Sequence, residues 1–312
     1  MAGSSVKKFF KFSCLGCLGI VFLLVVTLAL FGWISGSNAE FTEAGASYAP
    51  EQFAGTAHLV EMDTTRSADL PEALGTPVNR VKLIVSGVEN VVIRPCSEDE
   101  GLVVEATYNK KRIEFSETLN EEPDGNWTYT VEMTGSGSDL ARLIERFFSG
   151  RDASLNVCLP ADAPIALEID MDRVGLEAEL GGLWLPTIDL DLDRAGAFVN
   201  FDSPLRVPAD SVSIRMNMGG LVLHEIGNAS PAVLDLDYRF GGLALDMTGD
   251  WKQNAQIEIK GMAGGVTVIL PRSVRVDGVP DLAPAVGADA ETAPTLFFAP
   301  GTNFKDITVR RR

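Results

Sequence analysis

The chain predicts an all-β fold: a single-stranded parallel β-solenoid, or β-helix, of about five or more rungs, with one short capping helix and an N-terminal transmembrane helix. Three observations predict it. Between Ile165 and Leu270 five segments repeat one plan of alternating strand, glycine turn and second short apolar strand, and the turn glycines Gly175, Gly196, Gly219, Gly241 and Gly264 recur at intervals of 21, 23, 22 and 23 residues. Apolar residues within the segments fall at every second position, the period of a strand and not of a helix. An uncharged apolar run from Cys14 to Ile34 follows Lys7, Lys8 and Lys11.

That run would span about 31 Å as a helix, roughly one bilayer core. It ends on Phe31, Trp33 and Ile34 without a strong cleavage site, which favours a retained anchor over a signal peptide. The lysines precede it and no basic residue follows until Arg66. The positive-inside rule then sets residues 1–13 in the cytoplasm, 14–34 in the bacterial cytoplasmic membrane and the bulk of the chain outside. Cys14 and Cys17 belong to this helix, at most as a palmitoylation site. Residues 35–76, rich in Ala, Gly, Ser, Thr and Glu, read as a stalk, and 77–312 as the extracytoplasmic domain.

The domain opens with β signals. Val81, Leu83 and Val85 alternate, Val91 to Ile93 and Leu102 to Val104 form short apolar runs, and Trp127, Tyr129 and Val131 alternate again. One helix is predicted from Asp139 to Ser149, where Leu140, Leu143, Ile144, Phe147 and Phe148 share a face and Gly150 supplies the stop; it would cap an open end of the coil. Cys96 and Cys158 leave two readings open, a disulfide or two separately buried thiols.

In the repeats the inward positions are Leu167, Ile169 and Met171, then Ile188, Leu190 and Leu192, then Val212, Ile214 and Met216, then Leu234, Leu236 and Tyr238, then Ile257 and Ile259. Stacking in register also makes outward columns. One contains Asp170, Asp191, Arg215, Asp237 and Lys260, where opposite charges on neighbouring strands support the register. Asp170, Asp172, Asp189, Asp191 and Asp193 make a candidate acidic face, by default solvated; a divalent cation such as Ca²⁺ is the alternative, though flat carboxylate columns seldom converge as calcium requires. A second column holds Phe198, Val222 and Ala244, an apolar strip that is either a partner surface or the floor beneath the C-terminal loop.

A net charge of −17 opposes nucleic acid as a partner. The sequence assigns no catalytic, cofactor or metal residues. Its two histidines, His58 and His224, sit in no recognisable catalytic motif. The enzyme alternative is polysaccharide cleavage by paired aspartates on adjacent rungs, with Asp170 and Asp191 as the pair.

Val81 to Arg94 and the following Gly-Leu-Val-Val-Glu-Ala resemble the opening of the bacterial putative-adhesin-head domains. Asn-Val-Cys-Leu-Pro, the Gly-Gly-Leu and Gly-Gly-Val turns and Val-Thr-Val-Ile-Leu-Pro-Arg-Ser-Val-Arg-Val are also similar to that group and to related envelope-stress proteins. The resemblance implies a β-solenoid at a bacterial envelope and carries over no catalytic residues. The expectation is therefore a single-pass, membrane-anchored binding or scaffolding protein of the cell envelope, without catalysis of its own, whose partner is an envelope protein or a glycan.

Overall fold

The computed structural model describes residues 41–47, 78–97, 101–121, 126–136, 153–279, 292–300, 302 and 307–311. In chain order the strands are β1 Phe41–Ser47, β2 Asn79–Ser86, β3 Asn90–Pro95, β4 Val103–Asn109, β5 Ile113–Glu121, β6 Trp127–Gly135, β7 Ser154–Leu159, β8 Ile165–Asp172 and β9 Gly175–Glu179. There follow β10 Thr187–Asp193, β11 Ala195–Asn200, β12 Ser211–His224, β13 Val233–Asp246, β14 Ala255–Leu270, β15 Arg275–Asp277, β16 Thr295–Phe298 and β17 Ile307–Arg311. They join into one mixed sheet of 17 strands that folds around a single core into a nearly closed, barrel-like shape.

Two runs of pairing make up this sheet. The first arm passes from β5 through β6, β2, β8 and β10 into the N-terminal halves of β12, β13 and β14, and on to β16 and β15. The second passes from β1 through β4, β7, β3, β9 and β11 into the C-terminal halves of β12, β13 and β14, and on to β17. The long strands β12, β13 and β14 belong to both arms and turn from one to the other at glycine.

The register within the repeats follows from the alternation of apolar residues. Leu190 lies between Ile169 and Ile214, and Leu236 between Ile214 and Ile259, all buried. A slip of one residue would turn each of these side chains to solvent, so burial pins the pairing. The gap between the arms is closed by connecting loops that contribute Leu183, Leu185, Leu205, Ile226 and Trp251 to the core. Their polar groups are satisfied from layer to layer. Buried Asn228 donates through Nδ2 to the Phe201 carbonyl at 2.7 Å and accepts from the Asp250 amide at 2.9 Å, and Trp251 Nε1 donates to the Met247 carbonyl at 2.8 Å.

The predicted fold class is corrected here. In place of a uniform parallel solenoid the sheet is mixed and barrel-like, because β5 pairs antiparallel with β6, and β4 antiparallel with both β1 and β7. Among the described residues there is no α-helix, only a single 3-10 turn at Ile226–Asn228. The capping helix read at Asp139 to Ser149 lies outside the described residues. The membrane anchor is corrected too: no helix among the described residues is long and apolar enough to cross a membrane, and 14–34 lies outside them. Membrane attachment through an N-terminal helix, the single-pass cytoplasmic-membrane location and the topology drawn from it are accordingly withdrawn.

Three further placements bear on the sequence reading. Phe41–Ser47, inside the segment read as a stalk, is the strand β1. Cys96 and Cys158 are joined by a disulfide that closes a separation of 62 residues. Beyond Asp277 the chain adds β16 and β17 in parallel to β14, a further layer of the stack.

Candidate functional site

The outer face of the first arm carries the predicted acidic columns. Asp170 and Asp191 are neighbours on β8 and β10, as are Asp172 and Asp193, while Asp189 pairs in register with Glu168 and Ser213. Cations interrupt these carboxylates. Arg215 Nη1 stands 3.6 Å from Asp191, Arg194 bridges Asp172 at 2.6 Å and Asp193 at 3.2 Å, and Arg173 Nε lies 3.1 Å from Asp172. Lys260 Nζ is 3.0 Å from Glu258, and this hydrogen bond, with the carboxylates of Asp235 and Asp237 nearby, holds its ammonium above the usual lysine range. The exposed arginine–carboxylate pairs among these contribute about 0–1 kcal/mol each. The carboxylates spread along the sheet, and no group of His, Cys, Asp or Glu among the described residues is gathered as a metal shell.

The second arm presents a different outer face, built from three parallel columns. In the five layers β9, β11, β12, β13 and β14 the first outward position is Gly175, Gly196, Gly220, Gly242 and Gly265. Two residues on, Phe198, Val222 and Ala244 run between Glu177 and Thr267. Two further on, Glu179, Asn200, His224 and Asp246 form a polar ladder. Asn200 Nδ2 donates to Glu179 Oε2 at 2.6 Å, which turns Asn200 Oδ1 toward His224 Nδ1 at 2.9 Å, and His224 Nε2 lies 3.7 Å from Asp246 Oδ2. The His224 ring also stacks near Phe198, with centroids 6.5 Å apart.

The glycine column and the apolar column together make a shallow open furrow of about 740 Å³, with Asn90 at one end and Gly265 at the other. Its ridge is apolar and open to water: Phe198 and Val222 are each 39% exposed. Apolar exposure continues on the other side of the glycines, where Met218 is 52% and Phe240 48% exposed. Five layers of strands span about 24 Å at the usual spacing.

The glycines here divide into two kinds. At Gly219, Gly241 and Gly264 φ lies near +140°, and an added Cβ would come within 1.8 Å of the carbonyl oxygen of the layer beneath. Those glycines make the bend between the arms. At Gly196, Gly220, Gly242 and Gly265 φ is ordinary and an added Cβ would meet nothing within 4 Å. Neither backbone conformation nor packing demands glycine there, and its effect is to leave the furrow floor bare. Glycine in a strand interior weakens the strand unless something approaches the backbone closely.

The sequence reading thus brings together its own candidates in part. Phe198, Val222 and Ala244 stand in one outward column, and the five aspartates on one outward face of the other arm. It missed the floor, the ladder and the exposed Met218 and Phe240. The signal was present in the doubled glycines Gly219-Gly220, Gly241-Gly242 and Gly264-Gly265, in which one residue bends the chain and the next leaves the floor open. The marker series also needs correction, since Gly196 pairs with Gly220 and not with Gly219. In the first two layers Arg173 and Arg194, at φ 58° and 51°, occupy the bend instead.

No family model matches the chain, and no curated protein matches it. Its structural neighbours are bacterial proteins described as putative adhesins. It is similar to a putative cell adhesion protein from Clostridium sporogenes ATCC 15579 at 10% identity and a TM-score of 0.33, over 88% of this chain and 100% of that one. It is also similar to a putative adhesin from Parabacteroides distasonis ATCC 8503 at 9% identity and a TM-score of 0.28, over 88% of this chain and 93% of that one. Overlap this loose transfers no function.

Proposed function

We propose that this protein is a binding or scaffolding protein without catalysis of its own, and that it binds through the outer face of the second arm. The observation that carries this reading is the bare glycine floor beside an exposed apolar ridge. Four successive layers hold glycine where the fold has no use for it, next to Phe198 and Val222 standing in water. Exposed contiguous apolar surface bounded by polar residues is the ordinary mark of an interaction site. The polar ladder from Glu179 to Asp246 supplies that boundary on one side. The first arm, by contrast, shows a charged face on which arginines and a lysine pair with several of the carboxylates.

The polysaccharide-cleaving alternative finds less support. Asp170 and Asp191 stand on an open sheet, Asp191 beside Arg215, and the furrow runs on the other arm. Two carboxylates that work as acid and base need a sugar held between them. A photoreactive phenylalanine analogue in place of Phe198 tests the binding reading. In cells it is expected to give a discrete adduct that disappears when Gly220→Leu fills the floor. Irradiation that yields no specific adduct contradicts the assignment of this face.

A further inference from the structure

We infer that Met218 and Met262, on the corner where the two arms meet, are a site of reversible oxidation, at which an oxidant of the peroxide class turns an apolar edge polar while the fold stays as it is. The modification needs no partner. Only its effect on binding rests on the reading of the second-arm face.

Exposure separates the methionines into two groups. The chain has eight, of which Met1 and Met62 lie outside the described residues. Met133, Met171 and Met247 are fully buried and Met216 is 2% exposed, whereas Met218 is 52% and Met262 74% exposed. The contrast is sharpest within β12. Ile214, Met216 and Met218 share the inward parity of a strand, and Ile214 and Met216 are buried in the core. Gly219 follows at φ 143°, and the bend it makes turns Met218 out to solvent. Met218 pairs in register with Phe240, itself exposed, and Phe240 pairs with Ala263, next to Met262. The corner therefore carries Met218, Phe240 and Met262 on three successive strands.

A thioether sulfur that meets water is a nucleophile toward hydrogen peroxide. Its lone pair takes one peroxide oxygen, the O–O bond breaks as the S–O bond forms, and the departing hydroxide takes the proton of the transferred hydroxyl to become water. Sulfur is oxidised to the sulfoxide, the peroxide is reduced, and a flexible apolar side chain becomes a polar one that methionine sulfoxide reductases restore. In the close-packed core an oxidant has no path to Met216 and an added oxygen has no room. Cys96 and Cys158 are already joined, so neither offers a thiol that would consume the oxidant first. At the corner the new oxygen enters the apolar surface beside the floor glycines, across from Phe198 and Val222, and weakens its hold on an apolar partner.

Peptide mapping of the purified full chain during treatment with hydrogen peroxide tests the site. Met218 and Met262 are expected to gain one oxygen atom each about tenfold faster than Met133, Met171, Met216 and Met247, a difference that vanishes in urea. The oxidised chain is expected to keep its thermal midpoint and to leave a hydrophobic-interaction column earlier, and a methionine sulfoxide reductase to restore its retention. A chain carrying both Met218→Leu and Met262→Leu keeps the apolar volume and is expected to lose this shift. Oxidation of Met216 at the rate of Met218, no oxygen gained at Met218 or Met262, or the same loss of retention in the double variant overturns the site. With the photoreactive probe at Phe198, oxidised chains are expected to give weaker adducts than untreated ones, and the double variant equal adducts under both conditions. Equal adducts from oxidised and untreated parent chains overturn the effect on binding. A probe that labels nothing in either removes the binding reading and leaves the oxidation site to be decided by the mapping.

Discussion

At Gly241 the backbone adopts φ 140°, and a methyl group would lie 1.8 Å from the carbonyl oxygen of Gly219; at Gly242, next in the chain, it would meet nothing within 4 Å. The two positions should respond oppositely to one substitution. Gly241→Ala forces the bend or the layer beneath it to move and is expected to cost more than about 3 kcal/mol. Gly242→Ala restricts the unfolded chain without a clash and is expected to leave stability unchanged or raise it by up to about 1 kcal/mol. Denaturant midpoints of the two variants check this, and equal losses at both would mean that the floor glycines are structural. The doubled glycine is visible in the sequence, but the division of roles between its two residues is not. Which of the two carries the turn depends on φ and on a carbonyl 22 residues earlier.

At the scale of elements, much of the repeat was legible. Inward residues such as Leu190, Ile214 and Leu236 are fixed by period-two alternation, and the outward columns through Asp191 and Phe198 follow from the same register. The N-terminal half was less so. Ile113 to Glu121 alternates weakly, and nothing in it states that β5 returns antiparallel beside β6 while β2 runs parallel to both β6 and β8. Pairing direction is a property of two strands together, which a single strand's pattern does not contain. The disulfide was undecided for the same reason, since it needs β3 and β7 side by side, where Arg94 pairs with Cys158. The crosslink closes a separation of 62 residues and should stabilise the domain by about 4 kcal/mol through the entropy of the unfolded chain. Replacing both cysteines by alanine is expected to lower the urea midpoint accordingly. An unchanged midpoint would show that the paired strands hold this end without it. Such a bond persists in oxidising surroundings.

The molecule as a whole has one core and two unlike outer faces. The first arm spreads carboxylates and cations along its outer face. The second arm exposes apolar side chains beside bare backbone. This division explains why the candidate site was only half legible: the ridge is made of residues that announce themselves, and the floor is made of side chains that are missing. The most direct measurement places the same photoreactive residue at Val222 on the second arm and at Asp237 on the first, in otherwise identical chains, and compares their adducts in cells. Discrete adducts from Val222 and none from Asp237 are predicted. Adducts from Asp237 alone, or equal patterns from both, would contradict the assignment of binding to the furrow.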